Sequence, residues 1–154
     1  LRMFKWLFIL LMFSSIAVFA ETPKFNDFSI MDIYVGHVSS LKEPSSGSKN
    51  WDAYRVEASH QKVNFAGHYI VFTGGCGGGA ICGEVLDAKT GKIVASLPEQ
   101  YLISTDEDTG FDIFYKINSR LIEISGISSS SHNKYSTKYY EFINNKFINI
   151  MTKN

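Results

Sequence analysis

The sequence has few of the features that identify a function directly. Its 15 basic residues are matched by 15 acidic residues, so no basic surface for nucleic acid is predicted. Only two cysteines and four histidines are present, and the cysteine spacing matches no standard zinc pattern. After residue 65 there is no long helical pattern and no alternation of strands with helices, which argues against a parallel α/β fold. No motif specifies a cofactor, and we expect none.

The start of the chain has the composition of an export signal. Arg2 and Lys5 precede an apolar run that is shorter than the roughly 20 residues needed to span a bilayer. Small residues precede the expected cleavage point after Ala20. We therefore expect residues 1–20 to be a signal peptide and residues 21–154 to form one domain in the periplasm or outside the cell. No stable membrane span is expected after cleavage.

Two cysteines in an exported chain predict a disulfide. Joining Cys76 to Cys82 closes a short loop in the middle of the chain. Chain-entropy reasoning gives such a loop a stabilisation of roughly 2 kcal/mol. We expect the bond to shape the loop more than to hold the whole domain together.

Both cysteines lie in a glycine-rich stretch, residues 64–83, that holds seven of the twelve glycines. Residues 69–73 are apolar on both faces, which predicts a central strand. The glycines that follow are typical of turns and of close strand packing. A phosphate-binding loop would need a lysine followed by serine or threonine and then a helix, and these are missing.

The remaining pattern predicts a mainly β protein, α+β at most. Phenylalanine and tyrosine are abundant, with 12 and 8 copies, and both favour strands. Turn residues at 87–91, 118–120 and 144–146 separate apolar segments and predict hairpins. Residues 22–36 are expected to form an opening strand. The result is a single antiparallel β-meander domain of about seven or eight strands, with a barrel, a sandwich and part of a propeller all open.

One short N-terminal helix is predicted over residues 51–60. Apolar residues recur at helical spacing from Trp51, and Asn50 is the predicted N-cap. An alternating pattern from Tyr54 to Ala58 leaves a short strand as the alternative.

Four short motifs follow one another in the centre of the chain. They are N-F-A-G-H-Y at residues 64–69, G-C-G at residues 75–77, the second cysteine Cys82, and D-A-K-T-G-K at residues 87–92. Together they resemble a group of small exported bacterial proteins of uncharacterised function, over about the last hundred residues. In similar chains the second cysteine often lies nearer the first. The resemblance implies an exported, mostly β domain preceded by a short helix, and it assigns no reaction.

A catalytic Cys76 is the alternative to a structural disulfide. A thiolate paired with the imidazole of His68 forms a nucleophile–base unit, and glycine backbone amides can stabilise an oxyanion. Such a cysteine-dependent hydrolase or transferase requires a free thiol, whereas in an oxidising compartment Cys82 is available to form a disulfide with it. Along a flat strand the two residues lie roughly 26 Å apart, so only a turn would bring them together.

Metal binding has weak support. Asp106, Asp108 and Asp112 alternate as in a calcium loop, but the sixth and twelfth positions counted from Asp106 are not glycine and glutamate. We interpret this segment as a solvated acidic loop, with a weak calcium site as the alternative. A site made of both cysteines, His68 and another histidine has suitable ligand types without a standard spacing.

The sequence favours an exported, non-enzymatic binding protein, and inhibition of a secreted or cell-wall enzyme is one form that such binding would take. The expected partner is a protein or a cell-envelope ligand. The candidate binding surface consists of His68, Gly74, Gly75, Gly77, Gly78, Gly79, Ser130 and His132.

Overall fold

The computed structural model of the protein describes residues 15–42, 45–131 and 134–154. Within these ranges one α-helix precedes eight β-strands. The elements are α1 (Lys49–Ser59), β1 (Tyr69–Gly77), β2 (Ala80–Asp87), β3 (Lys92–Ser96), β4 (Tyr101–Leu102), β5 (Asp112–Tyr115), β6 (Leu121–Ile127), β7 (Tyr135–Ile143) and β8 (Lys146–Lys153).

The strands pair antiparallel in two sheets of four. In the first sheet β2 is central, because it pairs with β1 along one side and with β3 and β4 along the other. In the second sheet β5, β6, β7 and β8 are neighbours in chain order. The prediction of a mainly β protein made of antiparallel hairpins with one short helix is confirmed, and the strands form two sheets rather than a barrel.

The two sheets share one core, and α1 covers the other face of the first sheet. Val71 of β1 packs in the same apolar cluster as Ile122 of β6. Ile70 and Phe72 of β1 pack in a second cluster with Trp51 of α1. Successive residues of a strand point to opposite faces, so β1 is buried on both sides by a helix layer and a sheet layer.

This layering corrects the prediction that residues 69–73 form a central strand. β1 lies at the edge of its sheet, since β2 is its only partner among the strands of the described residues. The apolar residues on both faces reflect the layers above and below β1. The start of its outer edge is covered by Asn64, whose side chain accepts from the amide of Val71 at 2.8 Å and donates to its carbonyl at 3.0 Å.

The turn between β2 and β3 shows why residues 87–92 have their composition. The Asp87 carboxylate accepts from the amide of Lys89 at 2.9 Å, and the Asp87 carbonyl accepts from the amide of Gly91 at 2.8 Å. Gly91 has a φ of 73°, and a Cβ added there would lie 2.0 Å from the carbonyl oxygen of Ser40. Both the backbone conformation and the close approach therefore require glycine.

Two further predictions near the N-terminus need correction. Residues 22–36 form no strand; Phe25–Phe28 is a single 3₁₀ turn, and Ser29 makes only an isolated bridge to Ser119. Their apolar alternation is incomplete, which is consistent with this outcome. The helix is present, but its N-cap is Ser48, whose hydroxyl accepts from the amide of Trp51 at 3.4 Å.

Most of the predicted signal peptide, residues 1–14, lies outside the described residues. Residues 15–20 are exposed and have no regular secondary structure. None of the helices in the described part of the chain has the length and apolar content needed to cross a membrane.

Candidate functional site

The β1–β2 hairpin carries the central glycines. Gly78 and Gly79 form a two-residue turn with φ values of 62° and 74°, and Gly77 before them has a φ of 95°. Positive φ at both central residues is the type I′ geometry that matches the twist of paired strands. Glycine adopts it at little cost, so these three glycines are explained by the turn.

Cys76 and Cys82 form the predicted disulfide across this hairpin, with their Cα atoms 5.7 Å apart. Cys76 is an extra residue in β1, because Gly75 pairs with Ile81 and Gly77 pairs with Ala80. Such a bulge weakens a ladder locally. The disulfide ties the bulged strand to β2 at this point and fixes the shape of the exposed tip.

We expect the double variant Cys76→Ser with Cys82→Ser to have a free energy of unfolding up to about 2 kcal/mol lower than that of the wild type, because only a short loop is released. The fold should persist, since both apolar clusters remain. Urea denaturation followed by circular dichroism measures the difference, and wild-type protein kept reduced is the matched control. Unfolding of the double variant in buffer would show that the bond holds the domain rather than the loop.

Gly75 differs from its neighbours. A Cβ on Gly74 would lie 2.6 Å from the ring of Tyr54, so that glycine is required by packing against α1. A Cβ on Gly75 would meet nothing within 4 Å, and its φ lies outside the positive range. Neither the backbone of Gly75 nor its surroundings among the described residues demand glycine.

A cleft of about 460 Å³ lies beside the hairpin. One side is the start of α1 with the segment before it, and the other is the segment after β3. Its lining is polar apart from an indole, a leucine and the disulfide, and includes Ser46, Ser48, Asn50, Trp51, Gly75, Cys76, Gly77, Cys82, Gly83, Glu84, Ser96, Leu97, Glu99 and Gln100.

A buried ion pair anchors this cleft between α1 and β2. The Arg55 guanidinium donates to both carboxylate oxygens of Glu84, from Nε at 2.8 Å and from a terminal nitrogen at 2.7 Å. Both side chains are only 11% exposed. A bidentate pair of this kind fixes two side chains in one geometry. Through its bonds to Arg55, Glu84 therefore holds α1 against the first sheet, and Glu84 itself lines the cleft.

Glu99 holds the opposite side of the cleft to the second sheet. One of its oxygens accepts from Lys138 at 2.7 Å and from the hydroxyl of Tyr101 at 3.3 Å. Burial alone would raise the pKa of Glu99, but hydrogen bonds from Lys138, Ser128 and Tyr101 together lower it. Burial is also the main cause that raises the pKa of Tyr101. Glu99 is therefore a charged anchor between the sheets.

His68 and Cys76 lie at opposite ends of β1 and are not in contact. His68 precedes β1 whereas Cys76 lies near the other end of that strand, and the strand is continuous between them. His68 stacks on Tyr69 with ring centroids 4.0 Å apart, and its Nε2 is 3.7 Å from Asp87. Burial is the main cause that lowers the pKa of His68, against the raising effect of Asp87. The thiolate–imidazole pair of the catalytic alternative is not formed.

His68 lines a separate depression of about 450 Å³ with Asp32, Lys89, Arg120 and Asn144 among others. The structure thus splits the predicted binding surface, with His68 at one end of β1 and Gly75 and Gly77 at the other. Gly78 and Gly79 are exposed at the hairpin tip.

The polar loop after β6 lies near the cleft. The amide of Ser129 donates to the carbonyl of Gln100, which lines the cleft, at 2.9 Å. Ser130 is exposed, and its hydroxyl is 2.9 Å from that of Ser128. His132 lies outside the described residues.

The acidic segment forms a turn stabilised by its own side chains. The Asp106 carboxylate accepts from the amide of Asp108 at 3.0 Å, whereas Asp112 begins β5 and accepts from the amide of Ile113 at 2.9 Å. Among the described residues, no three histidine, cysteine, aspartate or glutamate side chains are grouped closely enough to hold a metal ion.

Sequence reasoning missed the residues that build the walls of the cleft. Arg55 and Glu84 are 29 positions apart, and Glu99 and Lys138 are 39 positions apart. The only available signal was a charged residue within an otherwise apolar segment, at Glu84.

Comparison with models of protein families, with curated proteins and with solved structures found no match to this chain.

Proposed function

We propose that the chain is an exported, non-enzymatic binding protein that contacts a protein or cell-envelope ligand through the hairpin tip and the neighbouring cleft. The observation that carries this proposal is Gly75, an exposed glycine that nothing within the described chain requires. A glycine in a strand costs stability relative to residues with a side chain. Close approach of another molecule is a physical reason to accept that cost.

The cleft supports the same surface. Its hydroxyl, amide and carboxylate groups can orient a ligand, and Trp51 and Leu97 supply apolar contact area. The disulfide limits the loss of conformational freedom when the tip binds, which favours affinity. Inhibition of a secreted or cell-wall enzyme is the form of binding that an exposed, cross-linked hairpin tip suits, since such a tip can enter the cleft of another protein.

A catalytic role for Cys76 and His68 is disfavoured as a second candidate. Both sulfur atoms are in the disulfide, and His68 lies beyond the other end of β1. Thiol titration of purified protein tests this directly: we expect no reactive thiol before reduction. Labelling of one thiol at neutral pH would favour the hydrolase or transferase hypothesis instead.

The variant Gly75→Arg tests the binding surface. We expect it to fold with unchanged or slightly raised stability, because the added side chain meets open space in an extended backbone. Partner affinity should fall by roughly tenfold or more, because the new side chain obstructs the contact. The measurement is affinity capture from a periplasmic extract with tagged protein, followed by titration of the captured partner.

Gly110→Arg is the matched control. Gly110 also has no positive φ, and a Cβ there would meet only carbonyl oxygens at 3.8 Å or more. Gly110 does not line the cleft, so partner affinity should be unchanged. Equal affinity of the Gly75 variant and wild type would contradict the proposed surface.

A further inference from the structure

The outer edge of β1, on the side away from β2, differs between the two halves of the strand in how its backbone groups are hydrogen-bonded. In the first half the chain covers its own edge. The amide of Tyr69 donates to the carbonyl of Phe65 at 2.9 Å, and the carbonyl of Tyr69 accepts from Asn64 and Phe65. The side-chain amide of Asn64 then satisfies both the N–H and the C=O of Val71.

Beyond Val71 the edge has no cover from the described residues. Backbone groups of a strand point alternately to its two edges, and the register with β2 is regular up to Gly75. The N–H and C=O groups of Thr73 and Gly75 therefore point the same way as those of Val71, away from β2. No hydrogen bond within the described part of the chain reaches them.

Natural sheets protect such edges with lysine, proline, a bulge or a covering loop. Residues 73–75 have no lysine or proline, and the bulge at Cys76 comes only after them. Gly75 also has no side chain beside the bare groups, and it lines the cleft. The unpaired edge and the cleft are thus continuous.

We propose that the outer edge of β1 at residues 73–75 binds an extended polypeptide segment of the partner by strand addition. This rests on the proposed function and specifies the chemistry of its ligand. The segment supplies backbone N–H and C=O groups to Thr73 and Gly75, as the peptide-like side chain of Asn64 does for Val71. Its side chains beyond Gly75 reach the cleft, which selects among sequences.

A second copy of the chain is a less suitable occupant. Pairing two β1 edges would engage only the short stretch between the Asn64 cap and the Cys76 bulge on each copy. An extended segment of another protein is not limited in this way, because it can continue into the cleft.

The test uses a phage-displayed library of random dodecapeptides selected on the full chain. A selected peptide is titrated against wild type, Thr73→Pro and Thr73→Val. The proline variant removes the outward N–H without removing a bond to β2, and we expect affinity to fall about tenfold or more. The valine variant keeps the N–H and a similar shape, so its affinity should stay within about twofold of wild type.

If Thr73→Pro does not fold, amide hydrogen exchange of the wild-type chain still tests the proposal. The bound peptide should slow exchange at Thr73 and Gly75 by about tenfold or more, with no such change at Asp106 to Asp108. The inference is overturned by a failure to select any peptide, by binding without protection of these two amides, or by concentration-dependent protection without peptide, which indicates a second copy. Loss of partner binding in Gly75→Arg together with unprotected amides would overturn strand addition and leave the proposed function intact.

Discussion

Phe65→Ala should lower the free energy of unfolding by about 3–5 kcal/mol, the range for truncating a buried aromatic side chain. Phe65 is fully buried and lies 5.4 Å from the ring of Phe142 and 6.2 Å from that of Tyr115, measured between centroids. These contacts join the segment before β1 to the second sheet. The loss should be visible as a lower urea midpoint at unchanged slope.

Phe114→Ala provides a control of identical chemistry. Phe114 is 50% exposed on β5, so the same truncation should cost less than about 1 kcal/mol. Equal effects in the two variants would mean that Phe65 does not occupy the shared core. Because Phe65 belongs to the N-F-A-G-H-Y motif, the large effect would assign that part of the motif to the scaffold.

Glu84→Ala should lower the free energy of unfolding by about 3–5 kcal/mol, because it removes the carboxylate that holds the buried guanidinium of Arg55. The loss comes from the two hydrogen bonds between the guanidinium and the carboxylate that tie α1 to β2. Chemical denaturation at neutral pH measures it. The side chain also lines the cleft, so partner affinity should fall together with stability.

Glu107→Ala is the matched control, since Glu107 is exposed in the acidic segment. It should change stability by no more than about 0.5 kcal/mol. If Glu84→Ala behaved in the same way, the ion pair between α1 and β2 would not be needed to hold the helix beside the cleft.

The parts of the fold that sequence could predict depend on local patterns. The β2–β3 turn follows from local features, because the Asp87 side chain accepts from the amide of Lys89 and Gly91 supplies the positive φ that the turn needs. The helix could be predicted from residue spacing, although its N-cap is Ser48 and not the predicted Asn50. The disulfide follows from the presence of just two cysteines in a chain expected to be exported.

The parts that sequence could not predict depend on contacts between distant segments. β1 has the composition of a central strand, yet it is an edge strand covered by layers on both faces. The start of its outer edge is covered by the side chain of Asn64, a contact that no periodicity encodes. The cleft was also unpredictable, because its lining comes from segments around Ser46, Gly75 and Glu99 that only the folded sheet brings together.

The short motifs at residues 64–69, 75–77 and 87–92 have different physical roles. Asn64 covers the start of the β1 edge, Phe65 lies in the core, and Gly91 fits a turn that excludes a side chain. Gly75 has no such role, which is why it marks the surface proposed for binding.

Amide hydrogen exchange of the chain with and without its captured partner tests the central claim most directly. Binding at the cross-linked hairpin and its cleft predicts slower exchange at residues 73–79 and 46–50, with residues 104–110 unchanged. Protection confined to the His68 depression or to the second sheet, with residues 73–79 exchanging as in the free protein, would contradict it.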